Sequence, residues 1–403
     1  MKLLLIIDDY IPESTRVGAK MFHELALELS RNGNEVTILT PNSNLTQCLR
    51  VESIDGISVW YFKSGKIKDV GLLKRAINES LLSYRAWKAI KLKINDNAFD
   101  GIVYYSPSIF FGHLIDKIKK RVNCPSYLVL RDIFPQWAID AGILKKHSPI
   151  TYYFRYFESA LYNSADRIGL MSKGNLDLFC DSKNKHKNKC EVLYNWADNI
   201  LPVHDESYSS IVRKYNLHDK VIFFYGGNIG HAQDMSNLMR LVIRMSKFPE
   251  AHFLFVGQGD EVRLIKNIAT EQNLSNFTYI PSVSQSTYRS LLREINVGLF
   301  SLAASHSFHN FPGKLLNYMA HSVPILGSVN AGNDLIEIIT KYNAGLVNVN
   351  GEDDVLYNNA VKLLRSEKLR QKVGVSGRQL LIEKFSVKAA ALQIIKGIKH
   401  ESY

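Results

Sequence analysis

The stretch that decides the fold is Phe311-Pro-Gly-Lys-Leu-Leu-Asn-Tyr-Met-Ala-His-Ser-Val-Pro-Ile325. It predicts a loop, a helix that opens at Pro312 and Gly313, and then a strand. Proline suits the first helical turn, because the N–H that it lacks would have no partner there. The free amides of Gly313, Lys314 and Leu315 would converge on one point, where the helix dipole and the Lys314 charge favour an anion. The stretch therefore predicts a diphosphate site.

The length and composition indicate a globular protein with two domains. A chain of 403 residues is too long for one ordinary core, and 46% hydrophobic with 22% charged residues is typical of a folded protein. The apolar run Leu3–Ile7 stops at Asp8 and Asp9, and no run approaches 18 apolar residues. The four cysteines lie far apart, which favours reduced thiols over a zinc site. We expect a cytoplasmic protein.

The net charge of +12 is unevenly placed. Residues 63–121 hold 13 Lys/Arg against 5 Asp/Glu, and within them Gly71–Ile94 reads as a helix with apolar residues between the basic ones. Such a helix either binds an anionic surface or packs ordinarily with a solvated basic face. No RNA- or DNA-binding motif accompanies the charge, so we expect no nucleic acid. The prediction is peripheral contact with the inner face of the plasma membrane.

Strand-length apolar runs alternate with helical patterns along the whole chain. Runs that are apolar throughout indicate strands buried on both faces, as in parallel sheets. We predict an α/β protein with two Rossmann-like doubly wound domains, 1–200 and 201–386, and a last helix, about 387–401, that could pack on the first domain. Ligands bind at the carboxyl ends of such strands, so a cleft between two facing sheets is expected. The predicted strands are Lys2–Asp8, Glu35–Thr40, Ser58–Phe62, Gly101–Tyr105, Tyr127–Leu130, Arg167–Met171, Glu191–Tyr194, Val221–Tyr225, His252–Val256, Phe277–Ile280, Val297–Leu302, Pro324–Gly327 and Gly345–Val349.

Several predicted strands run into glycine-containing loops. Tyr225–Asp234 holds three glycines before a helix from Met235, which suits a phosphate, although its spacing fits neither a dinucleotide fingerprint nor a Walker loop. Gly18 and Gly257 follow other strands, where either a close ligand or a plain turn would explain them. The extended backbone near Val283 could pair with the edge of a base.

A charged pair ends the strand before Phe134-Pro135. Arg131 could face a phosphate and Asp132 could hydrogen-bond a sugar hydroxyl. An interdomain salt bridge explains the pair equally well.

The order of these motifs resembles the retaining nucleotide-sugar glycosyltransferases of GT-B fold, family four. The likeness covers nearly the whole chain, from the Gly18 loop and first helix, through Ala165–Ser172 and Asn195–Asp198, to Val256–Gly259 and the stretch quoted first. Within the family, the chain looks most like bacterial surface-polysaccharide transferases that add N-acetyl-L-fucosamine from its UDP form.

The resemblance implies how a UDP-sugar would be held. The amides of Gly227–Gly230 and Gly313–Leu315, with Lys314, would hold the diphosphate, and the backbone near Val283 would meet the uracil. The candidate donor-binding residues are Gly18, Gly227, Asn228, Gly230, Gln233, Gly257, Val283, Pro312, Gly313, Leu315 and Asn317.

This chain also departs from the family pattern. Asn317 stands where the family carries a glutamate for the ribose hydroxyls, and His309 stands at a second glutamate, where it would touch the donor sugar. Arg131 replaces a histidine that many relatives have near the acceptor. Asn228 and Gln233 occupy the place of a basic pair.

The function that the resemblance implies is hexosyl transfer, with retention, to a polyprenyl-diphosphate-linked saccharide in O-antigen or other surface-polysaccharide synthesis. Lys314, Arg131, Asp132 and His309 are the candidate catalytic residues, and neither a cofactor nor an essential metal is expected. The alternatives are a nucleotide-sugar epimerase or hydrolase, with its acid and base among Asp132, His309 and Glu158, or a non-catalytic nucleotide-sugar-binding protein.

Overall fold

The computed structural model describes residues 1–14, 16–68, 70–140, 142–197, 208–305 and 311–399. The chain divides into two compact units. The first unit comprises Met1–Trp196 and the chain from Val387 onward, and the second comprises Ala197–Ser386.

The first unit is built on a sheet whose described strands follow the order β3-β4-β2-β1-β5-β6-β7-β8. All neighbouring pairs are parallel except β3 and β4. Seven of these strands lie where the apolar runs predict them. The strands are β1 Lys2–Ile6, β2 Glu35–Asn42, β3 Leu49–Ile54, β4 Ile57–Lys63, β5 Gly101–Ser106, β6 Ser126–Leu130, β7 Arg167–Leu170 and β8 Cys190–Val192.

Strand β3 is missing from the sequence prediction. It pairs antiparallel with β4 through a two-residue turn at Asp55 and Gly56, both of which have positive φ (48° and 82°). An Asp-Gly pair is the residue choice that such a hairpin demands. The strand escaped notice because it lies at the sheet edge, where half of its residues are exposed and no continuous apolar run marks it.

Helices cover both faces of this sheet. The predicted single helix over Gly71–Ile94 is wrong, because Leu81 has a ψ near 0° and divides it into two adjoining helices. The helices are α1 Val17–Arg31, α2 Leu72–Ser80, α3 Leu82–Ile90, α4 Gly112–Val122, α5 Gln136–Asp140, α6 Pro149–Ser164, α7 Lys173–Ser182 and, from the end of the chain, α16 Val387–Lys399.

The last helix completes the core of the first unit. Ile394 and Ile398 are buried with the side chains of β1, β6 and α1. Gly101 makes room for it, since a Cβ there would lie 2.8 Å from Ile398. Gln393 donates to the Val192 carbonyl at 2.5 Å, so α16 is held at its polar edge as well.

The second unit is a parallel sheet whose described strands follow the order β11-β10-β9-β12-β13-β14. In chain order this is 3-2-1-4-5-6, the doubly wound order in which ligands bind where the strand order reverses. The strands, all at predicted positions, are β9 Val221–Asn228, β10 Ala251–Gln258, β11 Phe277–Ile280, β12 Val297–Ser301, β13 Ile325–Val329 and β14 Gly345–Val349.

Helix α12 is the element that the opening stretch predicts. It spans Gly313–Ala320, between β12 and β13. Its fully buried Tyr318 hydroxyl accepts a hydrogen bond from the Gly226 amide (3.3 Å) and lies 3.2 Å from the Leu299 carbonyl, which fixes α12 beneath the ends of two strands. The remaining helices are α8 Ile211–Lys214, α9 Met235–Met245, α10 Val262–Glu271, α11 Gln285–Leu291, α13 Leu335–Tyr342, α14 Asp353–Arg365 and α15 Glu367–Leu380.

Among the helices of the described ranges, none is both long and apolar enough to cross a lipid bilayer.

Candidate functional site

A cavity of about 450 Å³ opens at the carboxyl ends of β9 and β10 in the second unit. Its walls come from the strand ends, from the segment after β11, and from one face of α12. This is the position that the doubly wound order predicts for a ligand. The lining residues are Gly226, Gly227, Asn228, Val256, Gly257, Gln258, Ser282, Val283, Gln285, Tyr288, Lys314 and Asn317.

Glycines let the two strand ends approach each other at the floor of this cavity. Gly227 and Gly257 are register partners, and a Cβ on Gly257 would lie only 1.8 Å from the Gly227 carbonyl oxygen. Gly227 itself has φ 124°, a conformation that side chains rarely adopt. A side chain at Gly257 would therefore push the strands apart, whereas at Gly227 the backbone conformation would be strained. The predicted contact of Gly257 with a ligand stays a prediction.

Lys314 is the cation of the cavity. Its Nζ is buried, has no hydrogen-bond partner among the described residues, and lies 3.6 Å from the centroid of the Tyr225 ring. The carbons of the side chain remain partly exposed. Burial of the ammonium lowers the pKa of Lys314 to about 7. A cation that has no counter-ion in the part of the chain described here, and that lies at the end of two strands, is suited to bind an anion.

Only part of the predicted α12 anion site is realised. Pro312 is the N-cap and Gly313 begins the helix, with no atom within 4 Å of where its Cβ would stand, so a ligand has room to approach. The Leu315 amide, however, donates to the Pro312 carbonyl at 3.0 Å. The expectation of three free amides is wrong for Leu315, because the first turn is tightened by this bond.

The glycine loop after β9 also differs from expectation at its far end. Helix α9 begins at Met235 as predicted, but the Asp234 side chain caps it by accepting from the Asn237 amide. A carboxylate thus occupies the helix N-terminus that we expected to attract phosphate. The amides available to a ligand from this loop are those nearer Gly227.

Gly230 and Gln233 support the loop from outside the cavity. A Cβ on Gly230 would lie 2.6 Å from an Asp260 carboxylate oxygen, and Gln233 accepts from the Asn228 side chain at 2.8 Å. This second contact sets the orientation of Asn228, which does line the cavity.

A pair that the sequence analysis missed secures the same loop. Glu261 accepts from the Met235 amide (3.0 Å) and lies 2.8 Å from His231 Nδ1. His231 and Glu261 are thirty positions apart, so no local pattern could reveal the contact.

The wall beyond β11 is polar and aromatic. Val283 lines it as predicted, beside Ser282, whose hydroxyl donates to Gln258 at 3.1 Å, and beside Tyr288. Burial raises the pKa of Tyr288 well above its ordinary value, so the phenol stays neutral. Asn317 lies one helical turn after Lys314, and its exposed side chain faces the same cavity.

Arg131 and Asp132 lie in the first unit, after β6. Arg131 is 7% exposed, and burial lowers its pKa to about 10. One of its nitrogens donates to the Tyr194 carbonyl (3.2 Å) and its guanidinium lies 5.4 Å from the Trp196 ring, while Nε and Nη1 have no partner in the described chain.

Asp132 is in a different environment from its neighbour. More than a third of its surface is exposed, yet the surrounding protein desolvates the carboxyl. This desolvation, together with the charge of Asp8, raises the pKa of Asp132, whereas the charge of Lys68 lowers it. Neither Asp132 nor Arg131 forms an ion pair within the first unit, among the residues described there, and the interdomain salt bridge stays a prediction.

Three other candidates are placed as follows. Gly18 lies in the first turn of α1, where a Cβ would be 3.0 Å from the Tyr105 ring, so its role in the structure is packing. Glu158 is fully buried and ion-paired with Arg155 (2.8 Å) and Lys183 (3.1 Å), which makes it unsuited to acid–base work. His309 lies outside the described residues.

In the described ranges, no group of three or more His, Cys, Asp or Glu side chains is arranged so that it could hold a metal ion. The expectation that catalysis needs no metal stays a prediction.

Comparison with known proteins shows which family the second unit is similar to. Residues 209–380, which contain the cavity, match the family model described as glycosyl transferases group 1. This part of the chain, about two fifths of its length, is therefore similar to the glycosyl transferases of this group, as the sequence motifs indicate.

Curated relatives cover most of the chain. WbjE of Pseudomonas aeruginosa, named as a glycosyltransferase, is 26% identical over 351 residues, 86% of this chain and 85% of WbjE. WcaI of Escherichia coli (strain K12), named as a glycosyl transferase of colanic acid biosynthesis, is 23% identical over 345 residues, 79% of this chain and 81% of WcaI.

Solved structures show the same fold. HepE from Anabaena, in complex with UDP and glucose, aligns with a TM-score of 0.64 and 13% identity over 100% of both chains. The predicted GT-B fold is confirmed.

Proposed function

We propose that this protein transfers an N-acetyl-L-fucosaminyl residue from its UDP form to a polyprenyl-diphosphate-linked saccharide, with retention of configuration. One observation supports the nucleotide-sugar donor above all others. The buried Lys314 ammonium, which has no counter-ion among the described residues, faces a cavity whose floor is bare glycine backbone. HepE, a structural neighbour, was determined with UDP and glucose.

The diphosphate would lie between Lys314 and the backbone of Gly226–Asn228. Departure of UDP places negative charge on the diphosphate while positive charge develops at the anomeric carbon. A fixed ammonium in a water-poor cavity stabilises that charge without having to reorganise. Removal of one such donor typically lowers turnover about 10²–10³-fold.

The nucleoside would extend toward the segment after β11. Val283 lines the cavity in this segment, so its backbone could meet the hydrogen-bonding edge of uracil. Asn317 lies one turn after Lys314, and its amide can both donate to and accept from a ribose diol. A neutral amide fulfils this role without adding negative charge beside the diphosphate.

The acceptor would be bound by the first unit. Arg131 offers two buried N–H groups without partners, which suit a phosphate or a sugar hydroxyl, and Asp132 follows it at the surface. WcaI is named for the synthesis of colanic acid, a relation that supports a surface polysaccharide as the product. We place the protein in the cytoplasm, where UDP-sugars are made.

Retention follows if the acceptor hydroxyl attacks the face from which UDP departs. The new glycosidic bond forms as the bond to the diphosphate breaks, and a phosphate oxygen takes the hydroxyl proton. No enzymic nucleophile and no metal are needed in this scheme.

The test is a transfer assay with a panel of UDP- and GDP-sugars and lipid-diphosphate-linked N-acetylglucosamine, with and without EDTA. We expect a larger glycolipid from UDP-N-acetyl-L-fucosamine, unaffected by EDTA, whose anomeric configuration matches that of the donor by NMR. Transfer from a different donor would correct the proposed sugar but would support the proposed reaction, glycosyl transfer. A changed or hydrolysed free sugar nucleotide would establish the epimerase or hydrolase alternative, and binding without any product would establish the non-catalytic one.

A further inference from the structure

Helix α6 presents aromatic side chains to solvent. Tyr152, Tyr153 and Tyr156 are 61%, 39% and 59% exposed, and their spacing places them on one side of the helix. The opposite side already fills the core with Leu161 and Tyr162. The exposed rings therefore lie at the edge of this core, with much of their surface in solvent.

A second exposed stripe runs along α2 and α3. Ile77 on α2, Leu81 at the junction and Tyr84 on α3 are 54%, 38% and 59% exposed. The exposed Lys88 lies one turn after Tyr84, on the same face of α3. The Ser80 hydroxyl contacts the Tyr153 hydroxyl, so this stripe adjoins the tyrosines of α6.

Trp137 extends the surface beyond the first turn of α6. A series of ring contacts leads from Trp137 through Phe134 (6.0 Å) and Phe154 (4.8 Å) to Tyr153 (5.7 Å). Trp137 is 40% exposed. We call the surface formed by Tyr84, Trp137, Tyr152, Tyr153 and Tyr156 the aromatic face.

The aromatic face is flanked by cations. Lys74 and Lys88 on α2–α3, and Lys145 and Lys146 before α6, are exposed and have no ion-pair partner in the described chain. By contrast, Lys119 within the basic region 63–121 is engaged with Asp166 and is structural. The basic region thus contributes only part of its charge to this surface.

We infer that the aromatic face is a docking surface for an anionic lipid membrane. Tyrosine and tryptophan combine an apolar ring with a polar tip, which suits the interface between headgroups and acyl chains. The flanking lysines would be attracted to anionic headgroups. Charge decides against a second copy of this chain, because a two-fold interface would place the lysine-rich flanks of both copies in one contact.

This inference rests on the proposed function in one respect, because membrane binding would bring the enzyme to a lipid-borne acceptor. Vesicle binding itself can be measured without any sugar transfer. It also moves the expected membrane contact from the basic helix alone to a surface that includes α6.

The experiment is vesicle co-sedimentation of the full chain with phosphatidylglycerol–phosphatidylcholine vesicles and with phosphatidylcholine alone. We expect saturable binding to the anionic vesicles that weakens with added NaCl and is much weaker on neutral vesicles. Tyr152→Ser with Tyr156→Ser should weaken binding at least tenfold. Lys145→Glu with Lys146→Glu should weaken it at least twentyfold, since each lysine near the surface contributes about fivefold.

Two control variants distinguish binding through the aromatic face from a general effect of exposed hydrophobic side chains. Leu392→Ser and Val375→Ser remove side chains that are 57% and 64% exposed elsewhere, and should bind vesicles as the wild type does. All variants should keep their Tm and UDP affinity, because the substituted side chains are exposed.

Equal binding by the tyrosine variant and the wild type, or no vesicle binding by the wild type, would overturn the inference. So would a dimer in light scattering that the tyrosine double variant converts to a monomer without any lipid binding. A chain that binds vesicles but transfers no sugar would leave the membrane surface established and refute the proposed function alone.

Discussion

Replacing Lys314 by methionine should make the unliganded protein more stable and its nucleotide binding weaker. The fall in the pKa of Lys314 from 10.5 to about 7 corresponds to about 5 kcal/mol of unfavourable charge burial. Part of the side chain is exposed, so water reaches the ammonium after small movements, and we expect a gain of about 1–2 kcal/mol in the variant. For a unit of this size, each kcal/mol raises Tm by about 2–4 °C.

The same substitution removes a charge-assisted contact to the proposed diphosphate. Such contacts contribute about 1.5–3 kcal/mol, so the Kd for UDP should rise about 10–150-fold. Calorimetry with UDP measures this directly. Lys341→Met, at an exposed lysine of α13 outside the cavity, is the matched control and should change neither Tm nor Kd.

The pH dependence gives the reasoning a second, independent test. In the free protein Lys314 loses its proton above about pH 7, whereas bound diphosphate would hold the proton on. Affinity for UDP should therefore fall by nearly tenfold per pH unit above pH 7.5, where the phosphates are already ionised, and Lys314→Met should show no such fall in this window.

The stability of the free protein should change with pH in the opposite direction to its affinity for UDP. Between pH 7 and 10.5 the unfolded chain binds more protons at Lys314 than the folded one, so the wild type gains stability as pH rises. The difference in Tm between variant and wild type should shrink over this window. A variant that binds UDP as tightly as the wild type, or a wild-type affinity that does not change with pH, would refute the role assigned to Lys314.

Four further substitutions test the cavity and the core. Gly257→Ala should lower stability by about 1–3 kcal/mol in urea unfolding and abolish UDP binding, because its Cβ would overlap the neighbouring strand; unchanged unfolding would contradict the close contact. Gly313→Ala meets no atom within 4 Å and should keep its Tm, yet weaken UDP binding if the diphosphate approaches α12, which calorimetry decides. Asn317→Ala should raise the Kd for UDP about tenfold while leaving that for inorganic diphosphate unchanged, and equal losses for both would exclude a ribose contact. Ile398→Ala should destabilise the protein by about 2–5 kcal/mol in urea, whereas the exposed Leu392→Ala should have little effect.

The sequence was sufficient for the elements whose signal is local. Strands buried on both faces appear as apolar runs, and Pro312-Gly313 marks a helix start, so the two sheets and α12 could be predicted. The edge strand β3 was missed because half of it is exposed, although its Asp55-Gly56 turn was readable.

Single residues of the candidate site could be predicted from the sequence, whereas contacts between side chains far apart in the chain could not. The importance of Lys314 and Gly227 followed from their motifs. The Asp234 cap of α9 and the i,i+3 pair of Arg155 and Glu158 are local patterns that were readable but overlooked. That Lys183 also pairs with Glu158, and that Tyr225 lies under the Lys314 ammonium, are tertiary contacts that no local spacing encodes.

Helix α16 has a consequence for how the chain is made. Since Ile394 and Ile398 belong to the core of the first unit, that core lacks a wall until residues near the end of the chain have been synthesised. The second unit, made from one continuous segment, can fold while the first still waits for its final helix. A chain released before residue 387 would leave an open apolar surface on the first unit, which proteases and chaperones can recognise.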